Sequence, residues 1–223
     1  IPTDRAVPSA SLKPGQIEPE KHETTQFSVV DDKGMAISVT YTLNGWFGAK
    51  VIGGHTGIFL NDEMDDFSSR PGVPNMFGIV GSAANAIAPG KTPLSSMSPP
   101  ILSRNGKPVM VIGSPGGSRI PTIVLATILG VVDYGLDIQQ AVDLPRIHEQ
   151  WQPEPVEIEQ GALTDAVAAT LEQEGYKLAP HAPWGVAEGI LVGAPRLGVR
   201  HVGTARYFGG FDRRHPGVAA VGE

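Results

Sequence analysis

Thr24-Thr25-Gln26-Phe27-Ser28-Val29-Val30-Asp31 is the stretch from which this chain is best read. Two adjacent hydroxyl residues open a strand pattern of β-branched and aromatic residues. Asp31-Asp32-Lys33-Gly34 then supplies turn residues, and Ala36–Leu43 resumes the alternation. Two alternating runs joined by such a turn predict a β-hairpin. The preceding residues 1–23 are polar, hold Pro2, Pro8, Pro14 and Pro19, and lack an apolar period, which reads as an extended tail.

Beyond the hairpin, Ile58-Phe59-Leu60 reads as a short strand. Residues 61–97, with Pro71, Pro74, Pro89 and Pro93, read as a long loop region, a length usually reserved for function and often for a lid. Ile101–Ser103 and Pro108–Ile112 flank Asn105-Gly106, a strong hairpin signal. Pro121–Val132 is apolar enough for a buried helix, although its β-branched residues leave strand open. Asp137 can cap a helix over Ile138–Leu144 that Pro145 ends, and Thr164 or Asp165 can cap an amphipathic helix that Gly175 stops. Val156–Glu159, Ala187–Val192 and Gly198–Val202 are further strand candidates. Strands, buried helices and strands again predict an α+β fold of sheets enclosed by helices.

Bulk properties narrow the function. The 223 residues carry 17 Lys and Arg against 23 Asp and Glu, a net charge of −6 with the signs interspersed, which argues against a nucleic-acid surface. No apolar run approaches the ~20 residues of a membrane-spanning helix. The absence of cysteine excludes disulfides, thiolate catalysis and cysteine metal sites. High glycine (28) and proline (20) favour short strands and many turns over a helical bundle.

Four segments carry candidate chemistry. A threonine hydroxyl needs a base to become a nucleophile, and an N-terminal threonine has one in its own α-amine, whose pKa of about 7.7–8.0 is close to neutral. Thr24 is the candidate, and strand propensity alone is the alternative account of Thr24-Thr25. The turn Gly113-Ser114-Pro115-Gly116-Gly117-Ser118-Arg119 follows the apolar run Val109–Ile112. Its two adjacent glycines can aim successive N–H groups into one concavity and hold an oxyanion; a tight strand-to-helix turn is the plainer account. No Gly-Lys-Ser/Thr ending follows, so phosphate binding is disfavoured. The acidic run Asn61-Asp62-Glu63-Met64-Asp65-Asp66 can hold an ammonium group or a hard cation, or simply be a solvated turn. Ser95-Ser96-Met97-Ser98 can donate to a carboxylate, or serve as a polar loop. His148-Glu149 lacks the second histidine of a zinc helix and reads as structural.

These segments, with Thr40-Tyr41-Thr42-Leu43-Asn44, Asn61–Phe67, Pro71–Asn75, Pro93–Pro99 and Asp133-Tyr134-Gly135-Leu136, occur in an order that resembles the small subunit of γ-glutamyltranspeptidases (glutathione hydrolases) from Thr24 to about Leu197. The resemblance implies a four-layer αββα N-terminal-nucleophile hydrolase sandwich, completed by a large subunit from the same precursor. It implies self-cleavage between Glu23 and Thr24, with residues 1–23 as the tail of the large subunit and residues 24–223 as the small, catalytic one. Carried over by position, Thr24 attacks a γ-glutamyl carbonyl, Thr42 orients it, and the Gly116 and Gly117 N–H groups stabilise the oxyanion. Asn44, Glu63 and Asp66 hold the substrate α-ammonium and neighbouring atoms, while Ser95 and Ser96 hold its α-carboxylate. Water or an amino acid or peptide acceptor resolves the acyl-enzyme without metal or cofactor. A periplasmic or extracellular location is implied as well.

The chain departs from the family pattern at Phe77, where some bacterial members carry a tyrosine that bonds across the site, and at Gly45-Trp46. Tyr207-Phe208-Gly209-Gly210-Phe211 reads as an insertion. Cephalosporin (glutaryl-7-aminocephalosporanic acid) acylases belong to the same family and give the competing activity, although Asp66 favours a substrate with an α-amine. A processing-defective binding protein is a third reading, disfavoured by the intact Thr24, Thr42, Gly116 and Gly117.

Overall fold

The computed structural model describes residues 24–150, 155–201 and 203–222. The tail and the Glu23–Thr24 bond, with whatever geometry surrounds it, lie outside the described residues. The hairpin forms as expected: β1 (Thr24–Val30) pairs antiparallel with β2 (Ala36–Thr42). Asp31 Oδ1 accepts the N–H groups of Lys33 and Met35 and so closes the turn locally.

The second expected hairpin is β3 (Ile101–Arg104) and β4 (Lys107–Gly113), with Asn105 and Gly106 both at positive φ, as a type I′ turn demands. β4 is central in a four-stranded antiparallel sheet of order β3-β4-β8-β9, where β8 is Glu188–Val192 and β9 is Tyr207–Phe211. The segment read as an insertion is therefore an edge strand of the main sheet. Its glycines have a packing reason. Ile112, Gly189 and Gly210 form one row across three strands, and helix α2 (Ile138–Asp143) lies on that row. A Cβ at Gly189 would stand 2.8 Å from Ile138 Cδ1, and one at Gly210 would stand 3.0 Å from the Ile138 backbone. Residues 198–201 form no strand, contrary to expectation, and Ile58–Leu60 is reduced to a single bridge, Ile52↔Phe59.

The ambiguous apolar run is helix α1 (Ile120–Val132), with proline in its first turn, where no N–H is needed. α2 opens with a capping box between Asp137 and Gln140, and α3 (Asp165–Gln173) is capped by the Thr164 hydroxyl. A small mixed sheet, β5 (Ile147–His148), β6 (Val156–Ile158) and β7 (Leu178–Pro180), completes the described residues. His148 is buried, with Nδ1 2.8 Å from Thr122 Oγ1 and Nε2 2.8 Å from Gln150 Oε1, in keeping with a structural role.

The core lies between the main sheet and the helices α1 and α2, built from Met110, Ile112, Ile120, Ile123, Val131, Ile138, Val142 and Leu191. The β1–β2 hairpin stacks on the sheet's opposite face through a polar seam. Ser38 Oγ donates to Ile112 O at 3.0 Å, Ser28 Oγ donates to Glu188 O at 3.4 Å, and the buried Gln26 amide joins Ser38 and Thr40. A Cβ at Gly113 would overlap that amide, so a side chain there would have to displace Gln26 from the seam. Helices, sheet and hairpin make three successive layers. The hairpin's outward face is apolar and open, with Phe27, Val29, Ile37 and Tyr41 each about half exposed. Among the described residues no helix is long and apolar enough to cross a membrane.

Candidate active site

Hairpin register sets the first contact of the site. Thr24, the first residue of β1, stands directly opposite Thr42, the last of β2. Thr42 Oγ1 accepts the Asn44 N–H at 2.8 Å, which turns the chain out of the strand. Asn44 takes φ +76°, a conformation that asparagine tolerates better than most residues, and is buried. Its Nδ2 donates to Asp62 O at 3.3 Å, while Asp62 Oδ1 accepts Gly45 N at 2.9 Å. Asn44 is thereby tied to the acidic turn.

Gly116 (φ +148°) and Gly117 (φ +57°) both occupy backbone conformations that side chains resist. Space adds a second demand, since Cβ atoms there would lie 2.9 Å from Ile123 Cδ1 and 2.8 Å from Phe77 Cδ1. The turn is pinned from beneath by Ser114, fully buried, whose Oγ donates to Pro115 O and accepts Val186 N. Thr24, Gly116 and Gly117 line one cavity of about 650 Å³, together with Phe77, Arg119 and Trp184. The candidate nucleophile and the two candidate oxyanion glycines thus line a shared space large enough for a small peptide.

The acidic run folds as a single 3₁₀ turn, Glu63–Asp66, in which positions three apart eclipse. Asn75, Met76 and Asn85 hold its backbone and the Asp65 carboxylate. Burial pushes the Glu63 carboxyl up to about 7, helped by the charge of Asp66, a hydrogen bond with it and the charge of Asp62. Asp66 is also raised, by burial first. Between pH 4.5 and about 7 the folded protein therefore keeps a proton on Glu63 that the unfolded chain gives up. Stability contributed by this group falls as pH rises through that window. Glu63→Gln removes the penalty, so its thermal midpoint is expected to exceed the parent's at pH 8 and to match it at pH 4. Identical melts at both pH values would show that the carboxyl is not strained.

The serines separate in role. Ser95 is exposed and its Oγ accepts Met97 N at 3.2 Å. Ser96 Oγ donates to Gly117 O at 2.9 Å and ties its loop to the glycine turn. Neither serine lines the cavity, nor do Asn44, Glu63 and Asp66.

A buried charged group escaped the sequence reading. Arg146 bonds to the Asp212 carboxylate and the Trp184 carbonyl. Arg214 bonds to Glu159 at 2.6 Å and to Asp212 at 3.2 Å. Glu159 and Asp212 in turn accept the N–H groups of Trp184 and Ala187, so the four charges hold the loop that forms the far wall of the cavity. Burial alone would raise the Glu159 pKa, but the Arg214 bonds and the Trp184 N–H hold it below the usual carboxylate range. These residues are spread between positions 146 and 214, and no local spacing announces them.

The gamma-glutamyltranspeptidase family model matches residues 2–222. The chain is 53% identical over 212 residues to the glutathione hydrolase proenzyme of Pseudomonas sp. strain A14, covering 95% of this chain but 37% of that protein. It superposes on a Helicobacter pylori gamma-glutamyltranspeptidase T380A mutant with a TM-score of 0.76 at 43% identity, covering 86% of this chain and all of that one. A cephalosporin acylase from Bacillus halodurans shares the fold at 24% identity and a TM-score of 0.62, covering 80% of this chain and 30% of that one. The layers described above are those of the N-terminal-nucleophile hydrolase fold, and the chain belongs to the gamma-glutamyltranspeptidase family.

Proposed function

We propose that residues 24–223 are the nucleophile-bearing part of a γ-glutamyl hydrolase and transferase, made as a precursor and cut before Thr24. The observation that carries this reading is that Thr24, paired with Thr42 across the hairpin, lines one cavity with Gly116 and Gly117; Thr42 itself does not line it. The chain spans about a third of the length of the curated relatives it matches. The remaining length accommodates a large subunit, and the open apolar face of the hairpin is where its layer would pack.

In the mature form the Thr24 α-amine takes the hydroxyl proton as Oγ bonds to the γ-glutamyl carbonyl carbon. The Gly116 and Gly117 N–H groups bind the oxyanion. Collapse breaks the amide C–N bond, and the ammonium returns the proton to the leaving amine, leaving a threonyl ester. Water or an acceptor amine then attacks the ester, with the same amine as base. Asn44, Glu63 and Asp66 hold the donor's α-amine side, and Ser95 and Ser96 hold its α-carboxylate. Relatives named as glutathione hydrolases point to glutathione as a donor, and a periplasmic or extracellular site fits that role.

The full-length proenzyme tests this with γ-glutamyl-p-nitroanilide as donor. Release of p-nitroaniline together with two bands on a denaturing gel supports the reading; one uncut band with no release removes it. Asp66→Asn separates the donor classes. A carboxylate–ammonium contact is worth about 1.5–3 kcal/mol, so kcat/KM for γ-glutamyl donors is expected to fall at least tenfold relative to that for glutaryl-7-aminocephalosporanic acid. Equal losses on both would make Asp66 a structural carboxylate.

A further inference from the structure

The γ-glutamyl reading leaves one charged wall of the cavity without a role. Arg119 ends the glycine turn and lines the cavity beside Gly117. Its Nε donates to Glu157 Oε2 at 2.6 Å and its Nη2 to Glu157 Oε1 at 2.9 Å. The guanidinium carbon lies 5.6 Å from the centre of the Trp184 ring, and Nη2 is 3.4 Å from His181 Nε2. Ion pair and ring hold the fork in place, while the two Nη1 donors take no part in these bonds. The side chain is 28% exposed.

The other guanidinium on this cavity, Arg214, has nothing left to give. Its Nε is spent on Glu159, its Nη1 on Val142 O and Asp212, and its Nη2 on Leu144 O and Glu159. Glu188, which also lines the cavity, has its carboxyl pushed up by burial and by the charge of Asp212, which reduces its repulsion of an anion.

The residues proposed to hold the glutamyl group do not line this cavity, whereas Arg119 and Trp184 do, and this wall is the one assigned to the departing amine. By microscopic reversibility the accepting amine enters from that same side. Peptides and amino acids on that side carry a carboxylate, and a guanidinium held in place, with its Nη1 donors uncommitted among the described residues, can pair with one.

Resting on the γ-glutamyl transfer reading, we propose that Arg119 anchors the carboxylate of the leaving peptide and of the accepting amino acid or short peptide. It is a specificity residue for the second substrate, distinct from the groups that hold the γ-glutamyl donor.

The test uses the processed full-length enzyme with γ-glutamyl-p-nitroanilide as donor and two acceptors, glycylglycine and glycylglycinamide, which differ only in the carboxylate. The unaltered enzyme is expected to show a KM for glycylglycine at least tenfold below that for the amide. Arg119→Gln is expected to bring the two values together by raising the first. A KM ratio untouched by Arg119→Gln, with p-nitroaniline still released, overturns the Arg119 assignment alone. No release from the unaltered enzyme removes the γ-glutamyl reading and this one with it. If Arg119→Gln does not mature, Arg119→Lys keeps the charge but loses the planar fork, and the ratio is expected to narrow without vanishing. Equal KM values in the unaltered enzyme overturn the proposal without any variant.

Discussion

Thr24→Ala in the full-length proenzyme is expected to run as a single band on a denaturing gel and to lose γ-glutamyl hydrolysis by about 10⁴-fold or more, the scale on which removal of a nucleophile falls. In the proposed mechanism one hydroxyl serves both reactions: in the precursor it would attack the carbonyl of residue 23, and in the mature enzyme the donor. Thr24→Ser keeps the oxygen and is expected to retain part of both. The Thr24–Thr42 register makes the result specific, because losing the side chain at this position leaves the backbone pairing of β1 and β2 intact. Two bands from Thr24→Ala would take this residue out of the cleavage reaction.

The second large effect is one of stability. Asp212 is fully buried, bonds to both Arg146 and Arg214, and accepts the Ala187 N–H. Asp212→Ala leaves two guanidinium groups in the interior with one carboxylate, Glu159, between them. Breaking a buried pair from one side costs about 3–5 kcal/mol. The thermal midpoint of the proenzyme is expected to drop accordingly, and the Trp184–Ala187 wall of the cavity to loosen with it. Asp212→Asn keeps the acceptor oxygen and is expected to lose less. An unchanged midpoint in Asp212→Ala would mean that Glu159 alone suffices to hold both arginines.

The parts of this structure that read directly from sequence are those fixed by short-range chemistry. The Asp31–Gly34 turn, Asn105-Gly106 and the caps at Asp137 and Thr164 each act within a few residues, and each is where the pattern places it. α1 is ambiguous in sequence because Ile123, Val124 and Val131 suit a buried strand as well as a buried helix; burial on its inner face and Pro121 in its first turn make it a helix. β9 is hidden because Tyr207–Phe211, with its adjacent Gly209 and Gly210, reads as an insertion. The two glycines become sensible only once α2 is known to lie against that strand. At the site, the glycine turn and the hairpin start are legible. The charges behind them are not, since Arg146, Glu159, Asp212 and Arg214 meet only after the chain has folded.

The polar seam beneath the hairpin bears on the order in which this protein is made. Hydrogen bonds, not grease, attach the hairpin to the sheet, so its apolar residues point the other way and find no cover within the described residues. A covering segment on the same polypeptide meets that face at an effective concentration of about a millimolar. A subunit synthesised separately would have to find it by diffusion, in competition with every other exposed apolar strand in the cell. If the chain is made as the proposed precursor, synthesis with the large subunit is an assembly device, and a cut before Thr24 would be safe only after the layers have closed. A cut that came first would release a ribbon inclined to pair with the wrong neighbour.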